Sequence, residues 1–354
     1  YTKKSKIIIK NKIMTENKKI RVIQYGCGKM GKVFLRYVTE HGGLVVGAID
    51  NNVELVGKDI AEIMGTNEPT GVLVSDDAEK VFAEAQADVA IIATTSLMSE
   101  VEDQFVMAAK HGVNAISTCE ESFYPFTTSK EETERLDKLA KENDCTLTGS
   151  GYQDVFWGNL VAALAGATHK ITKISGVSSY NVEDYGIALA KVHGAGLTLE
   201  EFEKEITKND SLPSYMWNSS QWLCDRLGLN ITEISQKLVP TTYEKEINSS
   251  TLGMVVPAGR ATGMSAVVTT KTAEGIEIVA ECIGKIYAEG EVDRNDWKIE
   301  GEPNTSMIIH QPATVNLTCA TVVNRLPDLM RAPAGFIPTS QMPMSKYLVR
   351  PLEK

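Results

Sequence analysis

The stretch that most constrains the fold is 20–40, which joins a short apolar segment, a glycine-rich loop and a helical pattern. Arg21–Tyr25 is predicted to be a buried strand because it contains adjacent β-branched residues. Gly26, Gly28 and Gly31 follow at G-x-G-x-x-G spacing. Such glycines permit a tight turn, close approach of a pyrophosphate and close helix–strand packing. The stretch therefore predicts a dinucleotide site at the start of a helix, where free N–H groups favour phosphate.

A second apolar strand, Leu44–Ile49, ends in Asp50, near the expected distance for an acid that binds the adenosine ribose. Asn51 and Asn52 follow it instead of an arginine, so we expect NAD to be favoured and some NADP use to be permitted. The residues predicted to bind this cofactor are Gly26, Cys27, Gly28, Lys29, Met30, Gly31, Asp50, Thr94 and Thr95.

Short apolar strands then alternate with amphipathic helices, which is typical of a parallel sheet with crossover helices. Asp88–Ala93, for example, is a continuous apolar run. From about Asp154 the pattern changes to long alternating strands such as Gly275–Ala288, which predict an antiparallel or mixed sheet. The expected fold class is α/β: an N-terminal Rossmann, doubly wound parallel sheet, with a second α+β domain on a mixed or antiparallel sheet.

The predicted dinucleotide-binding domain comprises 14–151 plus 312–354, and the predicted substrate and oligomerisation domain comprises 152–311. A helix at Thr314–Leu326, stopped by Pro327, is expected to return to the first domain. Residues 1–13 carry five lysines around a three-residue apolar run, so we interpret them as an added leader, non-native or disordered. A basic interaction arm is the alternative. By analogy with other folds in which a sheet of this kind accompanies a Rossmann domain, we expect the chain to form a homodimer.

Composition narrows the function. The chain has 354 residues, a net charge of −10 and no apolar run of about 18 residues, so we expect neither nucleic acid nor a membrane as partner. Its six cysteines form no C-x-x-C pair, and its five histidines form no H-x-x-x-H pattern. We therefore expect no metal site and a reducing, cytoplasmic setting.

Glu120 is the strongest candidate for proton chemistry, because it follows a buried strand and precedes an aromatic loop. Apolar surroundings raise a carboxyl pKa toward the range useful for acid–base catalysis. The alternative is that Glu120 and Glu121 begin a solvated loop. Arg260 is the first candidate to bind a substrate carboxylate, and Lys191 and His193 are further candidates. The alternative for each of the three is an ordinary surface or core position.

Four segments carry a resemblance to a known family: Ile20–Gly31, Ser117–Glu121 (STCEE), Gly151–Trp157 and Val322–Gly335. The chain after Met14 resembles the 2,4-diaminopentanoate dehydrogenases, which belong to a dihydrodipicolinate-reductase-like group that also contains native amine dehydrogenases. The glycine fingerprint is shared by many families, whereas the STCEE segment is much more specific.

This resemblance implies reversible oxidative deamination of a small diamino acid at its 4-amino group, as in ornithine fermentation. It implies that Glu120 is catalytic and that Trp157 and Tyr185 line the amine pocket. The reductases of this group carry a His-His pair where this chain reads Tyr185-Gly186-Ile187, which argues against reductase activity. A reductase, another amino-acid dehydrogenase or a non-catalytic NAD sensor are the alternatives.

Overall fold

The computed structural model describes residues 19–207 and 213–353, so the predicted leader lies outside the described residues. In chain order the strands are β1 (Arg21–Tyr25), β2 (Leu44–Ile49), β3 (Val74–Ser75), β4 (Val89–Ile92), β5 (Asn114–Ser117), β6 (Thr146–Gly149), β7 (Lys170–Asn181), β8 (Ile231–Thr241), β9 (Ile247–Ser249), β10 (Met254–Val256), β11 (Gly263–Thr272), β12 (Glu277–Lys285), β13 (Arg294–Glu302), β14 (Thr305–His310) and β15 (Gly335–Phe336).

The α-helices, again in chain order, are α1 (Lys29–Glu40), α2 (Ile60–Met64), α3 (Ala78–Ala85), α4 (Met98–Lys110), α5 (Lys130–Glu142), α6 (Leu160–Gly166), α7 (Ile187–Val192), α8 (Leu199–Phe202), α9 (Tyr215–Leu227) and α10 (Thr314–Leu329). Short 3₁₀ segments span Glu121–Phe123, Val182–Tyr185 and Thr339–Gln341, and π-helical segments span Asp154–Asn159 and Glu203–Thr207.

Seven parallel strands form the first sheet in the order β15-β6-β5-β4-β1-β2-β3. Apolar side chains from both faces are buried, in one cluster that includes α1 and α10 and another that includes α3, α4 and α5. The strand order reverses between β1 and β4, and ligands of doubly wound sheets bind at that edge. The glycine loop leaves β1 at this point.

The second sheet has the order β14-β13-β7-β12-β11-β8 and is mixed, because only the β12–β7 pair is parallel within it. Its inner face packs Ile174, Ile278 and Trp297 with residues of α6 and α9. The predicted alternation is confirmed, since Ile278 and Ala280 of β12 are both fully buried. The predicted fold class is therefore confirmed.

The C-terminal segment packs on the first sheet. Cys319 and Val322 of α10 are buried in the cluster that contains α1, and β15 pairs with β6. The predicted stop at Pro327 is wrong, because α10 continues to Leu329. Proline removes one helix hydrogen bond, and here the turn around it is held by the burial of Leu329. In the described ranges, no helix combines the length and the apolar character needed to cross a membrane.

Candidate functional site

The glycine loop after β1 is shaped by two closely packed glycines and one open one. A Cβ on Gly26, whose φ is +88°, would lie 2.3 Å from the Ala93 carbonyl oxygen. A Cβ on Gly31 would lie 2.1 Å from the Gly26 oxygen, whereas one on Gly28 would have nothing within 4 Å. Gly28 directly precedes α1, so open space lies beside its first N–H groups. This cradle fits the pyrophosphate of a dinucleotide.

Asp50 ties the end of β2 to this loop. Its Oδ2 accepts the Cys27 N–H at 2.6 Å, and its Oδ1 accepts the Asn52 N–H at 2.8 Å. Carboxylate oxygens have further lone pairs, so Asp50 can still accept ribose hydroxyls. The Cys27 thiol is buried, and burial raises its pKa to about 12, so it stays neutral.

A cavity of about 470 Å³ adjoins the glycine loop beside Asn52. Its lining includes three exposed lysines, Lys29, Lys32 and Lys58. Of these three lysines, the sequence predicts only Lys29 as a cofactor-binding residue. Lys32 could have been found from its position one helical turn after Gly28, whereas Lys58 is brought there by the turn that follows β2. Three cations make this cavity suited to phosphate groups.

The segment between β4 and α4 lies against the loop. Gly26 approaches Thr94 so closely that a Cβ there would meet the threonine Cγ2 at 3.0 Å. The Thr94 hydroxyl donates to Gln104 Oε1 at 2.6 Å, and the Thr95 hydroxyl donates to the carboxylate of Glu100. Both threonines are thus fixed by α4, at the strand edge where a nicotinamide would lie.

Glu120 follows β5 and faces the same edge. Its carboxylate is hydrogen-bonded by the Ser96 hydroxyl; burial raises the pKa of this carboxyl, and the Ser96 bond lowers it in part. Burial raises the pKa values of Tyr180, Tyr185 and Tyr215, and the charge of Glu120 adds to this rise. A carboxyl with a raised pKa at this strand edge is suited to accept a proton.

Glu121, by contrast, has a structural role. Its Oε2 accepts the Met98 N–H at 2.8 Å, and its Oε1 accepts the Ser129 hydroxyl at 2.6 Å. Gly149 leaves room for this turn, since a Cβ there would lie 2.3 Å from the Ser122 carbonyl. Both oxygens of Glu121 are therefore occupied within the fold, which leaves Glu120 as the candidate for proton chemistry.

The tyrosines connect the second sheet to the cofactor loop. Tyr185 packs edge-on against Tyr180, with ring centroids 5.6 Å apart. The Lys29 ammonium lies 6.0 Å from the Tyr185 ring centroid. Because ring faces carry partial negative charge, this aromatic wall is suited to a substrate cation. The structure thus brings together Lys29, Tyr185 and Glu120, which sequence reasoning had placed in three separate groups.

Trp157 lies in the π-helical segment Asp154–Asn159. Its indole packs edge-on against Tyr152, and its buried N–H has no hydrogen-bond partner among the described residues. A buried donor without a partner is costly unless a ligand or water satisfies it. Trp157 is therefore available to a polar ligand group.

A buried ion pair holds this segment in place. The Arg325 guanidinium of α10 binds both carboxylate oxygens of Asp154 at 2.8 Å, and both side chains are fully buried. Ser150 and Asn159 also donate to the same carboxylate. Asp154 does not cap a helix, because its oxygens are occupied by these partners.

Arg260 and His193 occupy different surroundings. Arg260, on the loop after β10, donates a hydrogen bond to the Gly196 carbonyl at 3.1 Å. Hydrogen bonds from Thr198 lower the pKa of Glu201, and the charge of Arg260 lowers it further. His193 contacts Tyr180 and the Leu189 carbonyl. Both remain predictions as carboxylate ligands. The described part of the chain contains no cluster of metal-ligating side chains.

Comparison with known proteins gives the family. The 2,4-diaminopentanoate dehydrogenase C-terminal domain matches 156–354, and the dihydrodipicolinate reductase N-terminus matches 20–147. The chain belongs to the 2,4-diaminopentanoate dehydrogenase family. It is 23% identical to a 2,4-diaminopentanoate dehydrogenase from Acetoanaerobium sticklandii, over 94% of this chain and 95% of the relative.

Solved structures agree. An amine dehydrogenase from Mycobacterium smegmatis has 35% identity and a TM-score of 0.85, covering 94% of this chain and 98% of the other. A probable dehydrogenase from Thermotoga maritima, with 11% identity and a TM-score of 0.60, covers 91% of this chain and 92% of the other and shares the fold. The family confirms the predicted enzyme class, an NAD(P)-dependent oxidoreductase of the amine dehydrogenase type.

Proposed function

We propose that the protein oxidises the 4-amino group of 2,4-diaminopentanoate to give 2-amino-4-oxopentanoate and ammonia, reversibly. The observation that carries this proposal is Glu120, a carboxyl at the end of β5 whose pKa is raised by burial and whose charge adds to the raised pKa values of three tyrosines. The name of the Acetoanaerobium sticklandii relative supports the substrate. The Lys29–Tyr185 contact supports cofactor and substrate meeting at this edge.

In this proposal the cofactor is held by the Gly28 cradle and by Asp50, and when bound it supplies the acceptor for a hydride from C4. Glu120 accepts the proton that the substrate ammonium must lose before its carbon can release a hydride, and it passes this proton to solvent. Water then attacks the C=N carbon while Glu120 accepts a proton from that water. Glu120 gives this proton to the amine nitrogen, which leaves as ammonia as the new hydroxyl loses its proton to form the ketone. General base catalysis of this kind contributes about 10²- to 10⁴-fold.

Two other functions compete with this one. A dihydrodipicolinate-type reductase would share the fold, but the chain lacks the His-His pair of that group next to Tyr185. A non-catalytic NAD sensor would have no need of a carboxyl with a raised pKa at the cofactor edge. Glu120, hydrogen-bonded by Ser96 at the strand edge, therefore favours an enzyme.

The experiment is a substrate panel. Purified protein is mixed with NAD or NADP and with diamines, amino acids and simple primary amines, and reduced cofactor is measured at 340 nm. We expect the highest kcat/KM with 2,4-diaminopentanoate. A higher kcat/KM for a monoamine would show that 2,4-diaminopentanoate is not the preferred substrate, although the reaction would still be amine oxidation. Cofactor binding without turnover of any amine would favour the NAD sensor.

We further propose that a second copy covers the open face of the second sheet. By strand alternation, Val177, Val279 and Ile308 point away from the buried face, and Ile308 is 64% exposed. Ion pairs such as Lys173–Glu277 flank these residues, so the face carries both positive and negative groups. A surface that binds a second copy of itself needs both signs of charge.

Light scattering should therefore give twice the chain mass. Val177→Glu with Ile308→Glu should give monomers, and Val53→Glu on the other domain, at an 88% exposed position, should leave the mass unchanged. A monomeric wild type would contradict this proposal.

The six cysteines are free and fit the proposed cytoplasmic setting.

A further inference from the structure

Tyr180 and His193 form a hydrogen-bonded pair next to the Glu120 pocket. Tyr180 lies near the end of β7, and His193 is the residue that directly follows α7. The Tyr180 hydroxyl and His193 Nε2 are 2.7 Å apart, and His193 Nδ1 lies 2.9 Å from the Leu189 carbonyl oxygen. His193 is 6% exposed, so solvent hardly competes for these bonds.

The chemistry of these atoms fixes the direction of both bonds. A carbonyl oxygen only accepts, so Nδ1 of His193 carries the proton and donates to Leu189. Burial lowers the His193 pKa, so the ring is neutral at pH 7 and Nε2 is an acceptor. Tyr180 must then donate its hydroxyl proton to Nε2, and the lone pairs of its oxygen are left free to accept.

The sheet provides space for this pair at one position. Gly284 on β12 pairs with Tyr180 in the strand register. A Cβ on Gly284 would lie 2.5 Å from His193 Cδ2 and 2.8 Å from the Tyr180 hydroxyl oxygen. Any larger residue would displace the imidazole from the phenol, so the strand is built to admit both rings.

Tyr180 is also connected to the cofactor loop. Its ring packs edge-on against Tyr185, and the Lys29 ammonium lies 6.0 Å from the Tyr185 ring centroid. Burial raises the pKa of Tyr180, and the charge of Glu120 adds to this rise. An amine that has released one proton to Glu120 still has N–H bonds that need acceptors in a desolvated pocket. Glu120 supplies one acceptor, and the Tyr180 oxygen supplies another.

We propose that the Tyr180 oxygen binds the reacting amine by accepting a hydrogen bond from one of its N–H groups. His193 is a positioning residue in this proposal, because it holds the hydroxyl hydrogen of Tyr180 and so turns that hydrogen away from the substrate. This inference rests on the proposed amine oxidation, whichever amine is the substrate. It gives His193 a role other than carboxylate binding, because both of its ring nitrogens are already engaged.

The test is a double-mutant cycle with Tyr180→Phe and His193→Ala, measured with the amine that the wild-type protein oxidises best. Each single variant should raise KM for the amine about 10- to 100-fold, as expected for a lost hydrogen bond to a charged or polarised group. The Kd for NADH should not change. Because His193 acts through Tyr180, the double variant should be no worse than Tyr180→Phe alone.

His193→Gln supplies a conservative control, because its side-chain oxygen can accept the Tyr180 hydroxyl and should recover most of the affinity. Additive effects in the cycle would overturn the positioning role, and an unchanged amine KM in Tyr180→Phe would overturn the binding role. If 2,4-diaminopentanoate is not the substrate, the cycle is still measured with another amine, so the two proposals fail separately.

Discussion

Glu121 accepts the backbone N–H of Met98 at 2.8 Å and so caps the first turn of α4. The Ser129 hydroxyl donates to the other Glu121 oxygen at 2.6 Å, so both oxygens are occupied within the fold. This structural role of Glu121 supports the choice of Glu120 as the proton acceptor of the two.

The first prediction concerns this pair. Glu120→Gln keeps the shape of the side chain but cannot accept a proton, so kcat should fall about 10²-fold or more. Glu121→Gln retains an oxygen that can accept the Met98 N–H and should be much milder. Steady-state kinetics and NADH titration of both variants check this. Comparable losses in the two would show that Glu120 has no special role.

The second prediction concerns pH. Glu120 must be deprotonated to act as a base, and burial places its pKa above the ordinary 4.5. Therefore kcat/KM for amine oxidation should rise with pH as this carboxyl ionises and then level off. The same profile measured on Glu120→Gln should lack that limb. A limb that persists in the variant would assign it to another group.

The third prediction concerns cofactor choice. Asp50→Ala removes the acceptor for ribose hydroxyls and the bond to Cys27, so KM for NAD should rise and the preference for NAD over NADP should narrow. Lys58→Gln, in the cavity beside Asn52, should weaken NADP more than NAD because it removes a cation from that cavity. Kinetics with both cofactors check both variants. Equal effects of Lys58→Gln on the two would exclude a role in binding the extra phosphate.

The fourth prediction concerns the substrate carboxylate. If Arg260 binds it, Arg260→Ala should cost about 1.5–3 kcal/mol of binding, about 10- to 100-fold in KM. Oxidation of an amine without a carboxylate should be unaffected, since that amine has no group for the guanidinium. Kinetics with a matched pair of amines test this. An equal loss for both amines would assign Arg260 to the Gly196 loop that it already contacts.

The glycine loop and the strands around it could be predicted because their signals are local. Arg21–Tyr25 has the predicted ends, since a β-branched run is set by neighbouring residues. Glu120 could be identified as a candidate from its place after a buried strand and from the STCEE segment. The structural role of Glu121 could not be identified, because it depends on Met98, which lies 23 residues away.

Other features depend on contacts that are distant in sequence. The Tyr180–His193 pair requires Gly284, which lies on another strand and appears in the sequence as an unremarkable glycine. The helix through Pro327 contradicts a local rule that is usually reliable. The partner of Asp154 lies 171 residues away, so no local pattern indicates this ion pair.

The last prediction concerns that buried pair, Asp154 and Arg325. Asp154→Asn would remove the bidentate partner of the buried Arg325 guanidinium and leave the longer contact with Asp328, at 3.6 Å, as its ion pair, so it should destabilise the fold by about 3–5 kcal/mol. Arg36→Ala is the control, because this exposed arginine pairs with the exposed Glu40 on α1 and should cost less than about 1 kcal/mol.

Urea unfolding followed by tryptophan fluorescence measures both free energies. Replacing both partners, as in Asp154→Leu with Arg325→Leu, should recover much of the loss, because no uncompensated charge then remains buried. A stable Asp154→Asn variant would mean that Ser150, Asn159 and water satisfy the guanidinium and carboxamide without the ion pair. The position of Trp157, which shares the π-helical segment with Asp154, would then not depend on α10.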